Sequence, residues 1–336
     1  MMQLINKTPF ASQLFVMPNI QGIDTLHTLV KASFNIGSRW TLADEQIPPQ
    51  SGDEYWDDPS NSSLKHPNEF HQGKPFTDIN IIGQACAPDY VPTKQIDVGV
   101  SVGNIQKVLR VFGNRYWNNG YISPAESFES LSLSYENAFG GQHLVDGKIK
   151  SLERRNPVGK GYRGKQTRTE MHGQELPNIE DPKQLIQDIS HRPEPAGFGC
   201  RAPHWMPRAN LGGTYDEHWQ SQRAPYLPTD YNPQFQNSAS PGLIYPAHLL
   251  GNEPVKIVNM HPKGVVQFTL PALSLQGVVL VGGQGPEKLR FALETLTVEV
   301  SDLILRITWH SSYTLGNRIA NVREVQVNLN RGAAQA

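Results

Sequence analysis

Apolar side chains recur at every second position in short bursts along this chain, and the bursts are separated by long stretches with no period. The clearest burst is Thr25–Ile36, where Leu26, Val30, Ala32, Phe34 and Ile36 share one parity. Successive strand residues point to opposite faces, so period two is the signature of a strand with one apolar face. The same reasoning predicts strands at Gln13–Met17, Asp78–Ala85, Ile96–Val102 and Gln106–Phe112, with a hairpin turn at Gly103-Asn104. It predicts six more near the C-terminus: Val255–Asn259, Val265–Leu270, Gly277–Val281, Leu296–Val300, Leu303–Trp309 and Val322–Leu329. Helical spacing stands out once, in Asp181–His191, where Pro182 sits near the start and Leu185, Ile186 and Ile189 mark one face. The expectation is a mostly β fold: β-sandwich-like units with long Gly/Pro-rich loops and few short helices.

The stretches between bursts are not featureless. The middle third carries Ala138-Phe139-Gly140-Gly141, Asn156-Pro157-Val158-Gly159, Leu176-Pro177-Asn178-Ile179-Glu180, Pro195-Ala196-Gly197-Phe198-Gly199, His204-Trp205-Met206-Pro207-Arg208 and Gly213-Thr214-Tyr215-Asp216-Glu217-His218-Trp219. Each joins a backbone-setting Gly or Pro to an aromatic or a charge, a composition no helix or central strand tolerates. The expected organisation is an N-terminal β unit over 1–145, a loop-rich middle over 146–250 wrapped on the scaffold, and C-terminal strands over 251–330 that complete the fold. The polar stretch from Trp40 to Phe70 is acidic, with Asp44, Glu45, Asp53, Glu54, Asp57 and Asp58 before any Lys or Arg after the first of them. Lys148–Arg168 is its opposite: eight basic residues against Glu153 alone, read as a mobile basic loop.

Composition supports the turn-rich reading. The 336 residues include 29 glycines and 26 prolines, about one residue in six against a usual 12%. Net charge is −1, which argues against a dedicated nucleic-acid binder. No apolar run approaches the ~18 residues of a membrane helix. Met1–Phe10 lacks the apolar core of a secretory signal. Cys86 and Cys200 lie far apart, outside any Cys/His cluster, and read as free thiols. A cytoplasmic protein is expected, with no membrane insertion.

Candidate chemistry is sparse. Gly159-Lys160-Gly161-Tyr162-Arg163-Gly164 matches GxGxxG, but Asn156-Pro157 precedes it and Lys165-Gln166-Thr167-Arg168 follows, not the strand and helix a dinucleotide fingerprint needs. The eleven histidines are scattered without HExxH, and His66 and His71 flank Glu69 in a polar loop. No metal ligand set and no cofactor are expected from spacing. The pairs Asp53/Glu54 and Asp57/Asp58 leave open a carbohydrate-active or hydrolytic enzyme using the acidic loop 44–58, although Asp57-Asp58-Pro59 is explained by a turn. Arg, Trp and Tyr dominate protein-interface hot spots. Arg115, Tyr116, Trp117, Trp205, Arg208, Tyr215 and Trp219, with Arg154, Arg155, Lys160 and Arg163 of the basic loop, are therefore candidates for partner binding. The aromatics among them equally suit anchoring long loops to a scaffold.

Taken in order, a series of segments resembles a bacterial domain-of-unknown-function family encoded beside type VI secretion spike and PAAR genes. They are Asn6-Lys7-Thr8-Pro9-Phe10, Lys31-Ala32-Ser33-Phe34, Ser62-Ser63-Leu64, Lys74-Pro75-Phe76-Thr77-Asp78, Gly113-Asn114-Arg115-Tyr116-Trp117 and Tyr135-Glu136-Asn137-Ala138-Phe139-Gly140-Gly141. The series continues through Asn156-Pro157-Val158-Gly159, Leu176-Pro177-Asn178-Ile179-Glu180, Gly197-Phe198-Gly199, Trp205-Met206-Pro207-Arg208 and Gly213-Thr214-Tyr215-Asp216. The likeness covers about residues 3–310; the chain departs from it at Asn114 and Cys200. It implies an adaptor or chaperone that holds a toxic effector and assists its loading on the spike or PAAR tip. It implies no catalytic residues.

Overall fold

The computed structural model describes residues 2–330. Thirteen strands form its frame: β1 Gln3–Asn6, β2 Ala11–Pro18, β3 Asp24–Asn35, β4 Thr77–Ile82, β5 Gln95–Val102, β6 Ile105–Phe112, β7 Pro254–Val258, β8 Val265–Thr269, β9 Leu275–Val281, β10 Glu287–Arg290, β11 Ala292–Glu299, β12 Ile304–Thr314 and β13 Val322–Leu329. The protein is mostly β, and the strand positions read from period two are recovered within a few residues. Gly103 takes positive φ between β5 and β6, and Val102 pairs directly with Ile105, so the turn holds only Gly103 and Asn104.

A seven-stranded sheet is central. Its order is Ile244–Tyr245, β4, β11, β12, β3, β2, with Thr41–Leu42 also pairing β3. Only the β4–β11 pair is parallel. A five-stranded antiparallel sheet follows the order Ile179–Glu180, β6, β5, β7, β8, and a four-stranded sheet the order β1, β13, β9, β10. Each large sheet joins the two ends of the sequence: β3 to β12, β5 to β7, β1 to β13.

Register explains the core. On one face of the central sheet, Ala32 lies opposite Ile307, Ile307 opposite Leu296, and Leu296 opposite Ile79. One step along, Phe34, Leu305, Val298 and Ile81 line up in the same way. All eight are buried, in one contiguous cluster with Val98, Val100, Leu109, Val111, Val255 and Ile257 of the five-stranded sheet. Leu26 instead joins Val279, Val281, Val322 and Val325 of the four-stranded sheet.

Two expectations are corrected. Asp181–His191 is a chain of turns, not a helix. Asp181 accepts from the Lys183 N–H and Asp188 from the Ser190 N–H, so side chains cap backbone donors that a helix would use. Ile186 and Ile189 are buried as separate anchors beside Trp117, Phe139, Met171 and Leu176. The one α-helix described is α1, Glu217–Gln222, whose first turn is capped by Asp216 accepting from the Trp219 N–H. The basic stretch is also not loop throughout. Gln142–Val145 and Lys148–Leu152 form a hairpin, with Asp146 and Gly147 both at positive φ, as a two-residue hairpin turn demands. Lys160–Gly161 then pairs with Phe139–Gly140. Cys86 and Cys200 are free and buried.

Candidate functional site in the buried polar face of the central sheet

The second face of the central sheet is polar and covered. Lys31 lies opposite Thr308, Thr308 opposite Thr295, and Thr295 opposite Asp78. Beside that rank runs another, Ser33, Arg306, Thr297 and Asn80. All but Arg306 are buried, and Arg306 nearly so. Buried polar side chains are the informative exception in a protein interior, since each must be paired or cost several kcal/mol.

The segment 43–76 and the pair Asn237-Ser238 supply partners for Lys31, Thr308, Thr295, Asp78 and the Ser33 backbone, Arg306 pairs with Glu299, and the Asn80 amide and Ser33 hydroxyl have none among the described residues. Glu69 accepts from Lys31 Nζ at 2.6 Å, from Thr308 Oγ1, and from the Gln50 N–H at 2.7 Å. Gln46 both accepts from the Ser33 N–H and donates to its carbonyl. Lys74 Nζ donates to Asp78 Oδ2 at 2.8 Å and to Thr295 Oγ1 at 2.9 Å. Asp78 also accepts from Asn237 Nδ2 and from the Ser238 N–H, both at 2.8 Å. The long loops are thus fastened by charge-assisted bonds to one sheet face, which fixes their position more stringently than apolar contact would.

One end of this face gathers three histidines and a carboxylate. The pairing of β11 with β12 slips between Leu293 and Thr295, leaving Glu294 as an extra residue. A bulge of this kind re-aims a side chain, and here it brings the Glu294 carboxylate to His310. Glu294 Oε1 lies 2.9 Å from His310 Nδ1, and His310 Nε2 lies 2.9 Å from His27 Nδ1 on β3. His71 comes from the covering segment, its Nδ1 4.0 Å from Glu294 Oε2. Phe15 stacks on His27 at 4.7 Å between centroids. Gly73 passes so close that a Cβ there would lie 3.2 Å from Glu294 Oε1 and His310 Nδ1. Burial pushes His27 down to about 3 and His71 well below the ordinary histidine value, with the neighbouring His310 adding to both.

The residues expected to bind a partner divide sharply by position. Trp117, Trp205, Arg115 and Arg208 lie inside. Arg115 pairs with Glu180 and donates to the Pro177 carbonyl, Arg208 donates to the Phe235 and Arg201 carbonyls, and Trp205 meets the edge of Tyr135. Tyr116 is half-buried. Arg155 is held by Glu153 and Glu194, Lys160 by Glu175, and Arg163 by the Gln166 carbonyl. Arg154 and Tyr215 are exposed, and Tyr215 stacks edge-on against Trp219 at 4.7 Å. In the acidic loop, Asp53 accepts from the Asn68 N–H, Glu54 pairs with Lys65, and Asp58 caps Ser60. The histidine cluster was not visible in the sequence. Its members lie up to 283 positions apart, so no local spacing betrays them. The one available signal was His310 standing in a strand whose other parity is apolar through Leu305, Ile307 and Trp309.

A family model described as an uncharacterized protein conserved in bacteria (DUF2169) matches residues 21–310. The chain belongs to the DUF2169 family. No curated protein and no solved structure matches it. The DUF2169 span begins before His27 and ends on His310, and so contains every residue of the polar layer described above. Among the described residues no helix is long and apolar enough to cross a membrane.

The same layer gives this DUF2169 chain an expected acid response. His66 is pushed down to about 4 by burial, which outweighs the opposing pull of Glu54, with Lys65, Lys31 and Arg306 adding to the depression. Above pH 6.5 neither the folded nor the unfolded chain protonates this ring. Between 6.5 and about 4 only the unfolded chain does, so stability is lost as pH falls through that window. Lowering the pH from 7 to 5 should cost roughly 1–2 kcal/mol from this residue. Urea titrations at both pH values should show the loss, and His66→Gln should shrink it by that amount. An unchanged pH difference in His66→Gln would assign the acid response elsewhere.

Proposed function

We propose that the protein is an effector adaptor of type VI secretion, acting in the cytoplasm: it holds a toxin and assists its loading on the spike or PAAR tip, without turnover of its own. The observation that carries a protein-binding role is the hairpin of residues 142–152. Its strands raise Leu144, Val145 and Ile149 to 55%, 38% and 53% exposure. Lys148 and Lys150 flank Ile149 along the second strand, Arg154 follows it, and none of the three makes an ion pair among the described residues. Exposed apolar side chains on a hairpin that also carries unpaired cations suit an acidic protein surface with apolar side chains of its own. The choice of a type VI effector as that partner rests on the resemblance of the ordered motif series to a family encoded beside spike and PAAR genes.

The test is affinity purification from the native host with the secretion genes expressed, followed by mass spectrometry. A neighbouring effector, with or without a PAAR or spike protein, should co-elute with the wild-type chain and be lost from Leu144→Asp/Ile149→Asp. Charge reversal at Lys148, Lys150 and Arg154 should slow association most at low salt. Recovery of the bare chain at low salt would count against the adaptor. Retention of the effector by Leu144→Asp/Ile149→Asp would move the docking surface elsewhere.

A further inference from the structure

We propose that His71, Glu294 and His310 form a binding site for one first-row divalent cation, Zn2+ in the first instance, which clamps the covering segment onto the central sheet. One donor atom from each of the three lies within 4.8 Å of the others, and all three residues are buried. Two imidazoles and a carboxylate are a ligand set that Zn2+ accepts, with room for a further ligand.

Three features distinguish the cluster from ordinary core histidines. Glu294 is a 5% exposed carboxylate whose ion-pair partners among the described residues are histidines alone. Elsewhere on this face the buried carboxylates Glu69 and Asp78 each hold a lysine. The acid is delivered by a bulge that interrupts an otherwise regular pair of strands, a distortion the fold does not need for its core. Proton positions give the third feature. His310 Nε2 lies 2.9 Å from His27 Nδ1. A cation bound by His310 Nδ1 leaves the proton on Nε2, where His27 Nδ1 is in place to accept it. Metal-bound imidazoles usually donate their second N–H in this manner.

Position assigns the ion a structural task. His71 belongs to the covering segment, Glu294 to β11 and His310 to β12, so a bound ion ties the cover to two central strands. His71 Nδ1 accepts from the Gly73 N–H at 3.1 Å, and binding through that atom exchanges this bond for the metal.

The decisive measurement uses full-length protein purified without a metal-affinity tag. Elemental analysis should find about one zinc per chain, and chelation should lower the melting temperature until Zn2+ is restored. Adding Co2+ to the chelated protein should give a saturable visible absorption band at one equivalent. Glu294→Gln and His310→Gln should weaken Co2+ binding by on the order of 100-fold or more, above the range seen when only a supporting residue is changed. His66→Gln, outside the cluster, should bind Co2+ as the wild type does. No zinc in the purified protein together with no saturable Co2+ band up to about 100 µM would overturn the proposal, and so would undiminished Co2+ binding by folded Glu294→Gln. Should either variant fail to fold, the wild-type titration alone decides.

Discussion

Asp78→Ala should lower global stability by about 3–5 kcal/mol, the cost of breaking a buried charge pair by removing one partner. The Asp78 side chain is fully buried and that of Lys74 is 1% exposed. Truncation removes the acceptor for Lys74 Nζ, Asn237 Nδ2 and the Ser238 N–H at once. Among the described residues Lys74 Nζ keeps only its bond to Thr295 Oγ1, and its side chain, 1% exposed, is left without the one carboxylate it pairs with. Lys74→Met/Asp78→Leu should lose much less than the sum of the two single changes, because no unpaired charge is left behind. Urea denaturation of the wild type, both single variants and the double variant closes the cycle. A loss under about 1 kcal/mol for Asp78→Ala would mean that the covering loops are held mainly by apolar contact, contrary to the arrangement described here.

That cycle bears on why half of the central sheet was legible and half was not. The even positions of Thr25–Ile36 announced a strand and its apolar face. The odd positions include His27, Lys31 and Ser33, and a strand with one polar parity is normally wet on that side, so nothing local marks them as buried. What buries them is Glu69 38 positions from Lys31 and Gln46 13 positions from Ser33; Asp78 on the same face is capped by Asn237, 159 positions away. No window of residues contains such a pairing. Glu294 was hidden for another reason: a bulge changes the face of a side chain without changing composition. The basic hairpin is a different case. Asp146-Gly147 between Leu144 and Ile149 is a strong local turn signal, and the density of Lys and Arg obscured it. Asp181–His191 shows the reverse error, since three apolar residues at helical spacing were outweighed by Asp181 and Asp188, which cap turns instead. The aromatic motifs of the middle third lie mostly in non-repetitive backbone, but Glu217-His218-Trp219 opens α1 and Phe139-Gly140 and Ile179-Glu180 pair as short strands, and composition could not tell inward from outward tryptophans.

The tryptophans therefore give the second large effect. Trp205→Ala should cost about 3–5 kcal/mol, the usual range for emptying a buried indole. Trp205 is 1% exposed and belongs to the main cluster, edge-on to Tyr135 with centroids 5.5 Å apart. Tyr135 in turn bonds Ser240, whose hydroxyl also meets the Gly197 carbonyl and Lys107 Nζ. Removing the indole should loosen several loops together, so the melting temperature should fall equally with or without a bound partner. Trp219 offers the contrasting case. It is half-buried on α1, held by its stack on Tyr215 and by its indole N–H donating to the Tyr226 carbonyl at 2.8 Å. Trp219→Ala should cost only about 1 kcal/mol in stability, the worth of one such hydrogen bond. If α1 contributes to partner binding, the same change should raise the partner off-rate by a factor of 30 or so, corresponding to about 2 kcal/mol for an interface hot spot. Melting temperature and off-rate measured on both variants separate the two roles. A Trp219→Ala protein that melts normally and releases its partner at the wild-type rate would remove α1 from the docking surface and leave the 142–152 hairpin to carry it. A Trp205→Ala protein that melts within a degree of the wild type would contradict the placement of this indole in the core.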